Sequence, residues 1–119
     1  MKKVIFTITI ITVFVISIWA QSAIVVTPNE LMRAYQQNSL RADEQFKGKI
    51  LQVTGRITAF DRSLDGRPVV ILNNGINVNF IRSEENKVLN LSRGQTVTIR
   101  GTCGGLLFFV MINNSVIVP

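Results

Sequence analysis

The chain has 119 residues, with 13 lysines and arginines, 7 aspartates and glutamates, one cysteine and no histidine. Its length suits a single domain. The absence of histidine removes the usual general base near neutral pH and any Cys/His metal site. We therefore predict that the protein is not an enzyme and that it holds no metal or cofactor.

The N-terminal stretch has the pattern of an export signal. Lys2 and Lys3 precede an uncharged, apolar run over residues 4–20. A basic start followed by such a run is typical of a secretory signal peptide, and the run is also close to the shortest membrane span. We predict a signal peptide over residues 1–22, or alternatively an uncleaved anchor, and one domain over residues 23–119. The predicted location is periplasmic or secreted, and membrane-anchored if the signal is not cleaved.

Removal of residues 1–20 leaves a mildly basic domain, because two lysines are lost and 11 basic residues remain against 7 acidic ones. The resulting charge of about +4 favours weak attraction to anionic surfaces and does not by itself indicate nucleic acid binding. Cys103 is the single cysteine, so the stability of the domain must come from packing. We predict that Cys103 is buried, with an intermolecular disulfide as the alternative.

A helix is predicted at the start of the mature domain, over residues 27–38. Thr27 suits the N-cap, Pro28 suits the first helical position, and Glu30 completes a capping box. Apolar residues then recur at helical spacing, which indicates an amphipathic helix. Residues 39–46 continue as a polar second turn or helix.

Residues 47–60 predict a long strand, because β-branched residues are frequent and apolar side chains alternate with polar ones. The apolar face carries Leu51, Val53, Ile57 and Ala59. Gly55 lies on the same face, where a glycine usually marks a bend or bulge. A strand that serves both sides of a small barrel needs such a bend.

Four further strand elements and a short helix follow. A polar loop with an Asp65-Gly66 turn leads to a strand over residues 69–72, and an Asn-Gly hairpin turn over 73–75 leads to a strand over 76–81. The remaining predicted elements are a short helix capped by Ser83 that plugs the barrel, a fourth strand over 95–103, a turn at Gly104-Gly105, and a last strand from 106 to 118 interrupted at 113–115.

This order of helix, long bent strand, meander, short helix and two strands is the order of the OB fold, the oligonucleotide- and oligosaccharide-binding barrel. We predict an all-β fold with small helical additions, a five-stranded Greek-key barrel preceded by the N-terminal helix. The motifs that carry a family likeness are Leu31, Ala34-Tyr35, Asn38, Phe46-Lys47-Gly48-Lys49, Val53-Thr54-Gly55-Arg56-Ile57, Leu89, Leu91 and residues 94–104. In these motifs the chain resembles the tRNA anti-like family of small exported OB-fold proteins, over about residues 27–119. The resemblance implies a barrel similar to those that bind nucleic acids.

Several aromatic and apolar side chains are assigned to packing. Tyr35 and Phe46 are predicted to form a lid over one end of the barrel, and Leu40 is predicted to dock beside them. Phe80 falls on the face of its strand that is predicted to point into the barrel. Large aromatic side chains are dominant contributors to protein cores, so Phe80 is assigned to the core. Phe60, at the end of the first strand, is the aromatic residue that we predict to be exposed to solvent.

OB barrels bind oligomers on the face of the second and third strands, edged by the loops that join strands 1–2 and 4–5. Binding of single strands requires aromatic platforms and cations that follow the phosphates. The candidate ligand-binding residues are Arg56, Phe60, Arg62, Arg67, Asn77, Asn79, Arg82 and Arg100.

Two functions remain open from the sequence. The first is an exported binding module for an oligomeric or anionic ligand, in which nucleic acid is a weakly supported candidate because the exported compartment seldom holds it. The second is a structural or protein-interaction module of the cell envelope, pairing through a strand edge or through Phe108 and Phe109. The membrane is a predicted partner only through an uncleaved N-terminal segment.

Overall fold

The computed structural model describes residues 22–119, so the predicted signal peptide lies outside the described residues except for Ser22. In residues 22–119 no helix has the length and apolar character needed to cross a membrane. The first elements are a short strand β1 (Ile24–Val25) and helices α1 (Pro28–Gln37) and α2 (Ser39–Phe46). They are followed by β2 (Ile50–Arg62), β3 (Pro68–Leu72), β4 (Ile76–Phe80), a single helical turn α3 (Glu85–Val88), β5 (Thr96–Leu107) and β6 (Phe109–Val118).

Five of these strands close into a barrel in the order β2-β3-β4-β6-β5, and β5 pairs back with β2. The β4–β6 pair is parallel, and the other four barrel pairs are antiparallel. β1 extends the sheet by pairing in parallel with β2. This closed arrangement of five strands with few short helices is the predicted OB fold.

The bend of β2 lies where the sequence predicts it. Residues 50–56 of β2 pair with β5, and residues 57–62 pair with β3, with a register shift beside Ile57. Gly55 comes just before this exchange of partners and is buried. A Cβ atom at Gly55 would lie 2.9 Å from Asn73 Oδ1 and 3.0 Å from Pro28 Cγ. Glycine is therefore required at this position because neighbouring side chains approach the backbone closely.

Apolar side chains that alternate along the strands fill the barrel, and helices close its two ends. Tyr35 of α1 is 3% exposed and Val88 of α3 is 2% exposed, at opposite ends of the core. The buried barrel residues include Leu51, Val53, Ile57, Val70, Leu72, Ile76, Val78, Phe80, Val97, Ile99, Cys103, Val110 and Ile112. The predicted burial of Phe80 and Cys103 is confirmed, and Cys103 is a free thiol. Phe46 packs against the core, but Leu40 is 78% exposed and does not dock, because it lies on the solvent side of α2.

The caps of α1 follow the sequence pattern. Thr27 Oγ1 accepts a hydrogen bond from the backbone N–H of Glu30 at 3.1 Å. At the other end, the N–H of Asn38 donates to the carbonyl of Ala34, and Asn38 Oδ1 caps α2 by accepting from the N–H of Arg41. One residue therefore ends the first helix with its backbone N–H and begins the second with its side chain.

Three local predictions are wrong. Ser83 does not cap a helix, since a 3-10 turn (Arg82–Glu84) without a side-chain cap precedes α3. The predicted β3–β4 hairpin over residues 73–75 is confirmed, but its positive φ angles are those of Asn73 and Asn74 rather than those of an Asn-Gly pair. Gly75 instead leaves room for the Sδ atom of Met32. Asparagine tolerates the left-handed region, so the turn did not need its glycine there.

The third error concerns the end of the fourth barrel strand. β5 continues through Gly104 and Gly105 rather than turning, and a register shift separates Cys103 from Gly105. Gly105 has a φ of 85° and forms a bulge, which is the other structure that a strand glycine permits. The hairpin turn lies at Phe108, so Leu106 and Leu107 belong to β5.

Glu84 is a buried carboxylate that ties the 3-10 turn to β6. Its Oε1 accepts from the N–H of Ile117 at 2.8 Å, and its Oε2 lies 3.0 Å from Lys87 Nζ. The Ile117 N–H and then the Lys87 ammonium lower the pKa of Glu84. A lowered pKa in the folded state means that this stabilisation is present above the ordinary pKa of 4.5 and is lost as the pH falls below it.

We expect Glu84→Gln to lower the free energy of unfolding at pH 7 by about 1 kcal/mol, because a neutral acceptor replaces a charged one. The curves of stability against pH for the native and variant proteins should converge at pH values below 4.5. Urea titrations between pH 3 and pH 7 measure both effects. Glu44→Gln, at an exposed position of α2, is the control and should give a curve parallel to that of the native protein.

Candidate ligand-binding face

The outer face of β3, β4 and β6 carries the predicted asparagines. Asn77 and Asn79 alternate with buried residues of β4, so both amides point away from the core. Across the sheet, Asn77 lies opposite Ile71 of β3 and Met111 of β6. All four side chains are half-buried, which gives a face of amides beside apolar side chains.

A third asparagine joins them. Asn79 Nδ2 donates to Asn113 Oδ1 at 3.1 Å and to Asn77 Oδ1 at 3.4 Å. We call Asn77, Asn79 and Asn113 the amide cluster. Since each amide offers two N–H donors and an oxygen with two lone pairs, these mutual bonds use only a small part of its capacity.

The sequence did not predict Asn113 as a site residue. It belongs to the polar stretch 113–115, which appears as an interruption of an apolar strand but is a bulge of β6, with Asn114 at a φ of 53°. Gly104 of β5 makes room for it, because a Cβ atom there would overlap the Asn113 amide. The polar break at residues 113–115 in an otherwise apolar strand is the one signal in the sequence that pointed to this position.

The loop over residues 63–67 borders one end of the face. Arg67 donates from Nε to Glu85 Oε1 at 2.7 Å and from Nη2 to the Phe80 carbonyl at 2.8 Å. Arg67 therefore holds the loop against α3 and the end of β4. Beside it, a hollow of about 140 Å³ is lined by Ser63, Asp65, Arg67, Pro68, Asn79 and Phe80. The Ser63 hydroxyl, which donates to the Asp65 carboxylate, lowers the pKa of that carboxyl.

Phe60 and Arg62 lie at the same end of the barrel. Phe60 is 44% exposed, as predicted. With Arg62, Leu89 and their neighbours it lines a cleft of about 380 Å³ between β2, β3 and α3. Arg62 Nη1 donates to the Gly66 carbonyl at 2.8 Å. Arg82 is exposed and follows the end of β4. This end of the barrel thus carries one partly exposed aromatic ring and two exposed arginines, and Phe60 lies opposite the buried Val70 rather than in the row of Ile71 and Asn77.

The other two predicted arginines lie elsewhere. Arg56 and Arg100 are on the outer side of the β2–β5 wall, two strands from β4 in either direction around the barrel. Arg100 Nη2 donates to Gln52 Oε1 at 2.7 Å. Arg56 lines a separate cleft of about 430 Å³ together with Arg93. The structure therefore places Arg67 beside Asn79, puts Phe60 and Arg62 in the neighbouring cleft against α3, and separates Arg56 and Arg100 from all of them.

The chemistry of the face is that of reversible binding. Amides donate and accept hydrogen bonds, Ile71 and Met111 offer apolar contact, and the arginines supply positive charge. Among residues 22–119 no group of three or more acidic, cysteine or histidine side chains gathers as a metal site.

Comparison with known proteins agrees with this architecture. The family model described as tRNA_anti-like matches residues 12–117. No curated protein shows a significant sequence match. The crystal structure of a "putative nucleic acid-binding lipoprotein" from Klebsiella pneumoniae subsp. pneumoniae MGH 78578 superposes with a TM-score of 0.67 at 20% identity, over 82% of this chain and 92% of that chain. That similarity shows a shared fold, and the family match covers most of the sequence. The chain therefore belongs to the tRNA_anti-like family.

Proposed function

We propose that this protein is an exported OB-fold module that binds an extended oligomer with an anionic backbone, and that single-stranded nucleic acid is the first ligand of this class to test. The observation that carries the proposal is the amide cluster on the outer face of β3, β4 and β6, with the exposed Arg62 and Arg82 at the end of the barrel that carries the 63–67 loop. This is the face that OB barrels use for oligomers.

The chemistry of the face suits such a ligand. Asparagine amides hydrogen-bond the edges of unpaired bases, apolar and aromatic side chains accept their faces, and arginines pair with phosphates. The printed description of the Klebsiella protein as nucleic acid-binding supports the same ligand class. Export is supported by Lys2 and Lys3 before the apolar run, and by the description of the Klebsiella protein as a lipoprotein.

Binding of a fluorescently labelled single-stranded oligonucleotide, followed by anisotropy across a range of salt concentrations, tests the proposal. We expect Arg62→Ala/Arg82→Ala to weaken binding and to reduce the slope of log K against log salt by about 1.4, or 0.7 for each lost phosphate contact. The matched control is Arg56→Ala/Arg100→Ala, which removes equal charge from the β2–β5 wall and should leave the slope unchanged.

The asparagines give a second, uncharged readout. Asn77→Ala/Asn79→Ala should lower affinity about tenfold at constant salt slope, since two hydrogen bonds of modest strength are lost. Asn29→Ala, on the exposed side of α1, should bind as the native protein does. If the native protein retains no oligonucleotide at low salt, the nucleic acid proposal is wrong. If only the Arg56/Arg100 pair matters, the ligand lies on the β2–β5 wall instead.

A further inference from the structure

The hairpin that joins β5 to β6 ends in three consecutive large apolar side chains. Leu106 is 50% exposed, Leu107 is 68% exposed and Phe108 is 97% exposed. We call these three residues the apolar tip. Single exposed apolar residues are ordinary on protein surfaces, but a contiguous group at the apex of a hairpin indicates a contact with something outside the fold.

The backbone at the tip supports the same view. Leu107 pairs with Phe109, so Phe108 alone forms the apex, and its φ is 59°. A bulky residue in the left-handed region is strained, whereas glycine or asparagine occupies it readily. The Phe108 ring is almost fully exposed, so no burial of the ring offsets this strain. The requirements of the turn therefore do not explain why phenylalanine stands there.

The position of the tip suggests what it contacts. β1 runs parallel to β2, with Ile24 opposite Leu51, and β5 runs antiparallel, with Gly101 opposite Leu51. Following β1 back to Ser22 and β5 forward to the tip therefore leads to the same end of the barrel. The apolar run of residues 4–20 directly precedes Ser22 and its neighbours in the sequence. The described part of the chain therefore begins at the end of the barrel that carries the apolar tip.

Positive charge lies at the base of the tip. The Cδ and Cε atoms of Lys47 are 3.4 Å from the Cβ position of Gly105, three residues before the apex. Lys49 is exposed nearby, with its Nζ donating to the carbonyl of Glu44. Of the two acidic neighbours, Asp43 accepts a hydrogen bond from the Tyr35 hydroxyl, and the side chain of Glu44 is exposed. Lysines at the base of an exposed apolar apex fit anionic headgroups at the level where the acyl chains begin.

We propose that the apolar tip inserts into the surface of an anionic phospholipid bilayer, with Lys47 and Lys49 at the headgroups. The barrel then stands with this end on the membrane and the 63–67 loop, at the far end of β2, facing away from it. This inference does not depend on the ligand of the β3–β4–β6 face.

Tryptophan fluorescence of the full chain tests the orientation. The native Trp19 is first replaced (Trp19→Phe), and a reporter is placed at the tip (Phe108→Trp) or, as the matched control, at the exposed loop residue Leu64 (Leu64→Trp). With vesicles of phosphatidylglycerol and phosphatidylcholine, the tip reporter should shift to shorter wavelength and lose about half of its emission to acyl-brominated lipid. The Leu64 reporter should change little. The proposal is wrong if the emission of the tip reporter does not change with vesicles, or if both reporters respond equally. It is also wrong if the emission of the tip reporter shifts with protein concentration alone, which would indicate a second copy of the chain as the partner of the tip.

Thermal unfolding without lipid provides an independent check. Phe108→Asn should raise the midpoint temperature by a few degrees, because asparagine tolerates the backbone of the apex. A lower midpoint would show that Phe108 serves packing within the fold, and the proposal would then be abandoned.

Discussion

Gly101→Ala is expected to lower the free energy of unfolding by about 3 kcal/mol or more, because β6 leaves no space for a side chain there. A Cβ atom at Gly101 would overlap Ser115 Oγ and would lie 2.8 Å from both the Asn113 carbonyl oxygen and Ile112 Cγ2. The carbonyl belongs to the backbone of the β6 bulge, so it cannot move aside as a flexible side chain would. Urea unfolding followed by circular dichroism measures the loss.

Two further variants separate the causes. Gly66→Ala meets open space but has a φ of 84°, and should cost only about 1 kcal/mol, from backbone strain. Adding Ser115→Gly to Gly101→Ala should recover part of the stability, since the overlap with the hydroxyl is removed and that with the carbonyl remains. A loss at Gly101 no greater than that at Gly66 would show that β5 and β6 are not packed as described.

Tyr35→Ala is expected to destabilise the protein by about 3 to 5 kcal/mol, as for other large aromatic residues removed from a core. The ring is 3% exposed, and its hydroxyl donates to Asp43 Oδ1 at 2.9 Å and lies 3.6 Å from Cys103 Sγ. Burial raises the pKa of Tyr35, so the hydroxyl remains a protonated donor at all ordinary pH values. Tyr35 therefore joins α1, α2 and β5 in one contact.

The matched variants are Tyr35→Phe and Phe60→Ala. Tyr35→Phe keeps the ring and should cost about 1 kcal/mol, the usual value of one hydrogen bond. Phe60 is 44% exposed, so removing its ring should cost less than removing that of Tyr35. Equal losses at Tyr35 and Phe60 would indicate that α1 does not close the barrel.

The alternation of side chains, Gly55 and the Thr27 cap were sufficient to predict the order of the five barrel strands and of α1, but not the short strand β1. These are local signals, since a period of two, a buried glycine and a capping residue each constrain only their own neighbourhood. The turn at Gly104-Gly105 was predicted wrongly because glycine permits a turn or a bulge equally well. The choice depended on whether Cys103 and Ile112 would pair across β5 and β6, which no local pattern records.

The candidate site also contains some residues that a local pattern predicts and others that only the pairing of distant strands brings together. The alternation of side chains along β4 by itself assigned Asn77 and Asn79 to the outer face, because this alternation follows from the pleat of a single strand. Asn113 joined them, and Arg56 and Arg100 were separated from them, only when β6 took its place between β4 and β5. The sequence thus determined which residues of β4 are buried and which point outward. The closure of the barrel decided which exposed residues share a surface, because that depends on strand order and on register shifts between segments distant in the chain.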